Sequence, residues 1–154
     1  MRKRCGVCGG EMSLGTLDAS GSDGPLKLTV RAMPAGKCAR GHAVPAEDEF
    51  MLWLIRELKA RAAELPAGTE QGMLFKKYFC ACGKELAAKS ERTQAFPLDV
   101  AYEGLPAFKA ELEMPVYRCA ACGKELMRSR KAIVGHTAQA VARVHDAAGF
   151  PHSA

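Results

Sequence analysis

Apolar and polar residues alternate from Leu26 to Ala32, where Leu26, Leu28, Val30 and Ala32 are separated by Lys27, Thr29 and Arg31. That period of two predicts a half-buried strand. The preceding Ala19-Ser20-Gly21-Ser22-Asp23-Gly24-Pro25 is rich in turn formers and reads as a loop, so an earlier strand near 11–18 would pair with it as a hairpin. Further on, Leu98, Val100 and Tyr102 alternate, Glu103-Gly104 supplies a turn, and Phe108, Ala110, Leu112 and Met114 alternate with Lys109, Glu111 and Glu113. A second small antiparallel sheet is expected there. Between them the period becomes helical: over Pro45 to Leu65 the apolar set is Phe50, Trp53, Leu54, Leu58, Ala62 and Leu65. Glu47, Asp48 and Glu49 crowd its first turn and Lys59 and Arg61 its end, as the helix dipole favours. Met51, Trp53 and Ile55 widen its apolar surface, which predicts packing between two units or against another chain. A shorter helix is predicted from His136 to Ala148, with Val141, Val144 and Ala148 on one stripe and Gly149 as its stop.

These elements recur in order, because the chain contains a repeat. Cys8-Gly9-Gly10-Glu11-Met12, Cys82-Gly83-Lys84-Glu85-Leu86 and Cys122-Gly123-Lys124-Glu125-Leu126 each read Cys-Gly-x-Glu-(Leu/Met). Met33-Pro34-Ala35-Gly36-Lys37-Cys38 and Met114-Pro115-Val116-Tyr117-Arg118-Cys119 share Met-Pro-x-x-(Lys/Arg)-Cys. One copy spans 1–66 and the other 75–154, each with a cysteine knuckle, a hairpin, a second knuckle and a helix. Leu65-Pro66-Ala67-Gly68-Thr69 is a linker short enough for the copies to touch.

The knuckles carry the chemistry. A tetrahedral zinc site needs four soft or borderline ligands, supplied by two short chelating loops from distant parts of the chain. Cys5-x2-Cys8 and Cys119-x2-Cys122 have the usual spacing, and the glycines after Cys8, Cys82 and Cys122 let the backbone turn around the metal. The gaps of 29 residues between Cys8 and Cys38 and 36 between Cys82 and Cys119 leave room for a hairpin. The expected ligand sets are Cys5, Cys8, Cys38 and His42 for one zinc and Cys80, Cys82, Cys119 and Cys122 for another. His42 follows three intervening residues and Cys82 follows one, so these two knuckles depart from the common form. Loss of Cys38 or Cys119 should unfold its own half, because zinc binding and folding are coupled in small domains. Four thiolates also suit iron, which makes a rubredoxin-like electron carrier an alternative.

This plan of two cysteine knuckles joined by antiparallel strands resembles the zinc-ribbon superfamily. The hairpin ending in Pro-x-x-(Lys/Arg)-Cys and followed by a helix is similar to the ribbon of MqsA/YgiT-type antitoxins. The resemblance implies a small zinc-stabilised β+α fold: two tandem zinc ribbons, built as antiparallel β-hairpin sheets, each followed by one α-helix. Those antitoxins append a helix-turn-helix that reads DNA, and no second recognition helix follows either ribbon here. Their DNA-reading function is therefore not expected.

Composition narrows the function classes further. Six Phe, three Tyr and one Trp in 154 residues leave few aromatic anchors, so metal must supplement the cores. Met1-Arg2-Lys3-Arg4 runs straight into Cys5, without the apolar stretch of a signal peptide, and no apolar run is long enough to span a bilayer. A cytoplasmic protein with reduced thiols and no membrane partner is expected. The formal charge is +5, but a site of four thiolates around a dication is net −2 and one of three thiolates and a histidine is net −1, which leaves +2. A polyanion partner is thus only weakly favoured, although Arg118, Lys124, Arg128, Arg130 and Lys131 crowd one knuckle and Arg2, Lys3 and Arg4 another. His136 reads as a helix-start residue and His145 and His152 as surface residues. Closed thiolate sites offer no position for a substrate. The expectation is a non-enzymatic zinc-binding protein-protein interaction or regulatory module, acting through an unidentified protein partner or self-association, with a nucleic-acid-binding transcriptional regulator as the alternative.

Overall fold

The computed structural model describes residues 3–152. Its elements are β1 (Lys3–Arg4), β2 (Glu11–Asp23), β3 (Leu26–Cys38), β4 (Ala43–Pro45), α1 (Phe50–Ala63), β5 (Thr69–Gln71), β6 (Lys77–Phe79), β7 (Arg92–Val100), β8 (Phe108–Arg118), β9 (Glu125–Leu126) and α2 (Arg130–Ala147). The protein is β-rich, with antiparallel sheets and two helices among the described residues. Strands β1, β2, β3, β8 and β7 lie in that order, with β4 added to β3 and β9 to β8, while β5 and β6 form a separate ribbon.

The alternation seen in the sequence sets the inward faces. Leu26, Leu28 and Val30 of β3 and Phe108, Ala110, Leu112, Met114 and Val116 of β8 are buried. In β3 the alternation breaks at Ala32, which was expected to point inward and is exposed. Leu17 pairs with Met33 and Ala19 with Val30, so Arg31 and Ala32 together face Asp18 in a bulge. Ala32 takes φ 56, and its N–H donates to the Asp18 carboxylate at 2.8 Å. The bulge moves the inward positions from 26, 28 and 30 to 33 and 35, which buries Met33 and Ala35.

The segment read as a loop before β3 is strand. Strand β2 runs to Asp23 and only Gly24-Pro25 turn, with Gly24 at φ 55. The small residues there serve a close approach instead. A Cβ on Gly21 would lie 2.5 Å from the Ala140 carbonyl oxygen and 2.6 Å from both the Val144 nitrogen and Arg143 Cβ, so α2 rests directly on the strand backbone. Gly21→Ala should force the helix off and cost about 1–3 kcal/mol, read as a lowered urea midpoint. An unchanged midpoint would show that α2 does not rest on the Gly21 backbone.

Both helices begin elsewhere than predicted. Helix α1 starts at Phe50 because Ala43–Pro45 is taken up by β4, which pairs with β3 through Ala35 and Pro45. Glu47, Asp48 and Glu49 consequently precede the helix, whose first turn holds no acid. Helix α2 starts at Arg130, capped by Ser129, whose hydroxyl accepts the Ala132 N–H at 3.1 Å. His136 is accordingly inside the helix, with Nδ1 2.8 Å from Asp23 Oδ2, and pins the β2–β3 turn to α2. The predicted stop at Gly149, φ 75, is where α2 ends.

The two copies share one sheet and one core. Lys27 to Arg31 of β3 pair antiparallel with Glu113 to Lys109 of β8. A single cluster combines Leu28, Val30, Phe50, Leu54 and Leu58 of the first copy with Val100, Phe108, Leu112, Val141 and Val144 of the second. Helices α1 and α2 pack against each other. Trp53 stands edge-on to Tyr102 at 5.0 Å, and Phe50 lies 5.8 Å from Phe108, so the Phe50–Trp53 side of α1 is met within the chain. The linker is built in as well: the Met127 N–H donates to the Pro66 carbonyl at 3.0 Å and the Gly68 N–H to the Met127 carbonyl at 2.8 Å. No helix among the described residues is long and apolar enough to cross a membrane.

Candidate metal centres

Strands β3 and β8 each deliver a cysteine to an end of the sheet. Strand β3 ends at Cys38, and Cys119 directly follows β8. Cys5 and Cys8 lie in the turn between β1 and β2, whereas Cys80 and Cys82 follow β6. All four knuckles are closed in one way. The N–H of the first cysteine donates to a carbonyl beyond the turn, from Cys5 to Gly10, Cys38 to His42, Cys80 to Lys84 and Cys119 to Lys124, at 2.7–3.0 Å. A glycine N–H donates back to that cysteine's carbonyl, from Gly9, Gly41, Gly83 and Gly123. Each of these glycines has φ between 72 and 95, a region costly for other residues. The unusual spacings at His42 and Cys82 therefore accommodate the same turn: Cys82 precedes its glycine and His42 follows Gly41. Gly41, three residues after Cys38 as Gly83 is after Cys80, is the sequence signal that aligns His42 with the other knuckles.

The recurring Glu-(Leu/Met) step is also explained. Met12, Leu86 and Leu126 are buried against the first cysteines of their sites, in two small clusters separate from the main core. Val44 takes the corresponding role after His42. The first cysteine of each knuckle, Cys5, Cys38, Cys80 or Cys119, is buried, while Cys8 and His42 are half-buried and Cys82 and Cys122 exposed.

Donor atoms converge in both places. In the first, Cys5 Sγ and Cys38 Sγ lie 3.4 and 3.3 Å from His42 Nδ1, and Cys8 Sγ lies 3.8 Å from Cys38 Sγ. In the second, Cys80 and Cys122 sulphurs are 3.5 Å apart, as are those of Cys82 and Cys119. All seven cysteines are free thiols. Zinc bound by sulphur at about 2.3 Å and nitrogen at about 2.0 Å, at tetrahedral angles, sets sulphur pairs about 3.8 Å apart and sulphur–nitrogen pairs about 3.5 Å apart. The donor set and its spacing fit such an ion. No family profile, curated protein or solved structure matches this chain. The two clusters are compatible with zinc sites on their own geometry, which brings together every one of the eight residues singled out in the sequence.

The knuckles also tune the thiols. Backbone N–H groups of Cys8 and Val7 aimed at Cys5 pull its pKa down to about 6. Those of Cys122 and Ala121 do the same for Cys119, against the opposing effect of burial, also to about 6. Their partners shift upward. The Gly10 N–H favours the Cys8 thiolate, but burial and the sulphurs of Cys5 and Cys38 outweigh it. At Cys122, although the residue is exposed, the Lys124 N–H is outweighed by the Cys80 sulphur, by partial desolvation of its own sulphur among its neighbours, and by Cys119. The three sulphurs of the first set and the four of the second repel one another as thiolates at these distances, and a dication would remove that conflict.

The basic residues are partly committed to structure. The Arg128 guanidinium lies 4.7 Å from the Tyr78 ring centre and 5.6 Å from that of Tyr117, and Arg130 donates to the Leu65 carbonyl. Arg4 donates to the Gly9 carbonyl across the first knuckle. Arg2 lies outside the described residues. His145 and His152, read as separate surface residues, lie together beside Asp146.

Proposed function

We propose that this is a tandem zinc-ribbon protein, residues 1–66 and 75–154, that holds two structural zinc ions and acts without catalysis by contacting another protein. The donor separations support the metal, and the tip of the β5–β6 ribbon supports the contact. There Met73, Leu74 and Phe75 are 96%, 90% and 86% exposed. Three consecutive apolar side chains so placed are a marker of an interaction site. Lys77 adds an exposed positive charge and Lys76 pairs with Glu70, so the fitting partner is a protein with an apolar pocket bordered by acidic groups. With four protein ligands each, the zinc ions would have no open position for a substrate.

A photo-crosslinking residue at position 74 should give a discrete protein adduct in the native cell, abolished by Met73→Ser with Phe75→Ser. The same probe at exposed Glu91 should give none. Absence of an adduct, or binding of the purified protein to lipid vesicles instead, would overturn the contact reading. Nucleic-acid binding is the weaker reading, because Arg128 and Arg130 already serve structural contacts; it requires binding at about 50 mM salt that falls steeply as salt rises. A rubredoxin-like iron carrier requires a red protein.

A further inference from the structure

A third donor set lies at the C-terminal end of α2, far in chemistry from the thiolates. His145 and Asp146 occupy the last turn of the helix, and the chain then reverses at Gly149. The reversal is held by the Gly149 N–H on the Asp146 carbonyl at 3.0 Å and the Phe150 N–H on the His145 carbonyl at 3.3 Å. Phe150 is buried, with its ring edge-on to His145 at 5.5 Å, which anchors the returning segment and fixes the His145 ring. His152 is thereby carried back over the helix end. Its Nε2 lies 3.1 Å from Asp146 Oδ1, and His145 Nδ1 lies 3.9 Å from the same oxygen. One donor atom from each of the three residues falls within 4.8 Å of the others.

We propose that His145, Asp146 and His152 form a third metal site, which takes a borderline divalent transition ion such as zinc or nickel. Two imidazoles and one carboxylate select that class over magnesium or calcium, which prefer oxygen alone. Nitrogen and oxygen ligands at about 2.0–2.2 Å set tetrahedral donor edges of roughly 3.4 Å, and the two histidine–carboxylate separations, 3.1 and 3.9 Å, lie on either side of that value. The helix C-terminus adds a favourable field for a cation. Unlike the tetrads, this site has three protein ligands and leaves coordination positions open. The same residues edge an apolar groove of about 350 Å³ with Met51, Leu52, Ile55, Val141 and Ala142, so an open position would border a surface suited to an apolar ligand group.

The test uses tag-free full-length protein as isolated, dialysed against increasing nickel or zinc, with bound metal counted. One equivalent beyond the tightly held metal should bind, and His152→Ala should weaken it at least tenfold. His152 is 76% exposed, so its loss leaves the fold intact. Paramagnetic nickel should selectively broaden the imidazole resonances of His145 and His152. No additional equivalent, or one that His152→Ala leaves unchanged, would overturn the site and show the His152–Asp146 contact to be a hydrogen bond alone. The comparison between wild type and variant holds whatever fills the cysteine tetrads.

Discussion

Stripping metal from the protein should unravel both ends of the sheet and leave its middle folded. Each tetrad sits on a small cluster, Cys5, Met12 and Cys38 in one case and Cys80, Leu86, Cys119 and Leu126 in the other. Burying a large apolar side chain contributes about 1.5–3 kcal/mol, whereas fixing each backbone residue costs about 1–2 kcal/mol. About a dozen knuckle residues per site cannot be ordered by so few buried side chains. Zinc in the proposed sites, worth roughly 10–16 kcal/mol in small peptides, would reverse that balance. The main core lies elsewhere and draws on both copies, so Cys38→Ser or Cys119→Ser should not unfold one half, as the repeat alone suggested. Local loss is expected instead. In hydrogen exchange, chelated protein should lose protection near residues 4–14 and 36–45 and near 78–90 and 116–127. Protection should persist in Leu26 to Val30, Phe108 to Leu112 and both helices. Uniform loss of protection would show that metal holds the whole fold.

Phe50→Ala should destabilise both copies together, by about 3–5 kcal/mol. Phe50 is fully buried on the first copy's helix, yet its ring meets Tyr102 at 5.6 Å and Phe108 at 5.8 Å in the second. The cavity opens where the copies meet. Trp53, the single tryptophan, stands on Tyr102 and reports that junction by fluorescence. In urea, fluorescence and far-ultraviolet circular dichroism should give one coincident transition, shifted to lower denaturant in the variant. Two separate transitions, only one of them shifted, would mean that the copies fold independently.

Local features of this architecture were legible in the sequence and features joining distant segments were not. Cysteine spacing identified both tetrads because a chelate is a local geometry, and alternation identified β8 because its inward face keeps a strict period from Phe108 to Val116. Gly21 reads as a loop residue yet lies in strand, because a glycine that admits a neighbouring helix looks, in sequence, like one that permits a turn. The phase change at Ala32 depends on Asp18 reaching the Ala32 amide across a hairpin, which no period reveals. Ser129 was a readable cap, masked by the basic run around it. The pairing of β3 with β8 depends on one hairpin of a repeat recognising the other. Likewise His152 reaches Asp146 only because Phe150 is buried and turns the chain back.

Zinc K-edge absorption of the protein as isolated, with metal counted per chain, reads directly whether the two tetrads are zinc sites. Zinc in both tetrads predicts a colourless protein with two tightly held zinc ions and an average shell of about 3.5 sulphurs at about 2.3 Å and about 0.5 nitrogen near 2.0 Å. A red iron protein, less than one metal ion per chain, or a shell dominated by oxygen and nitrogen would contradict it.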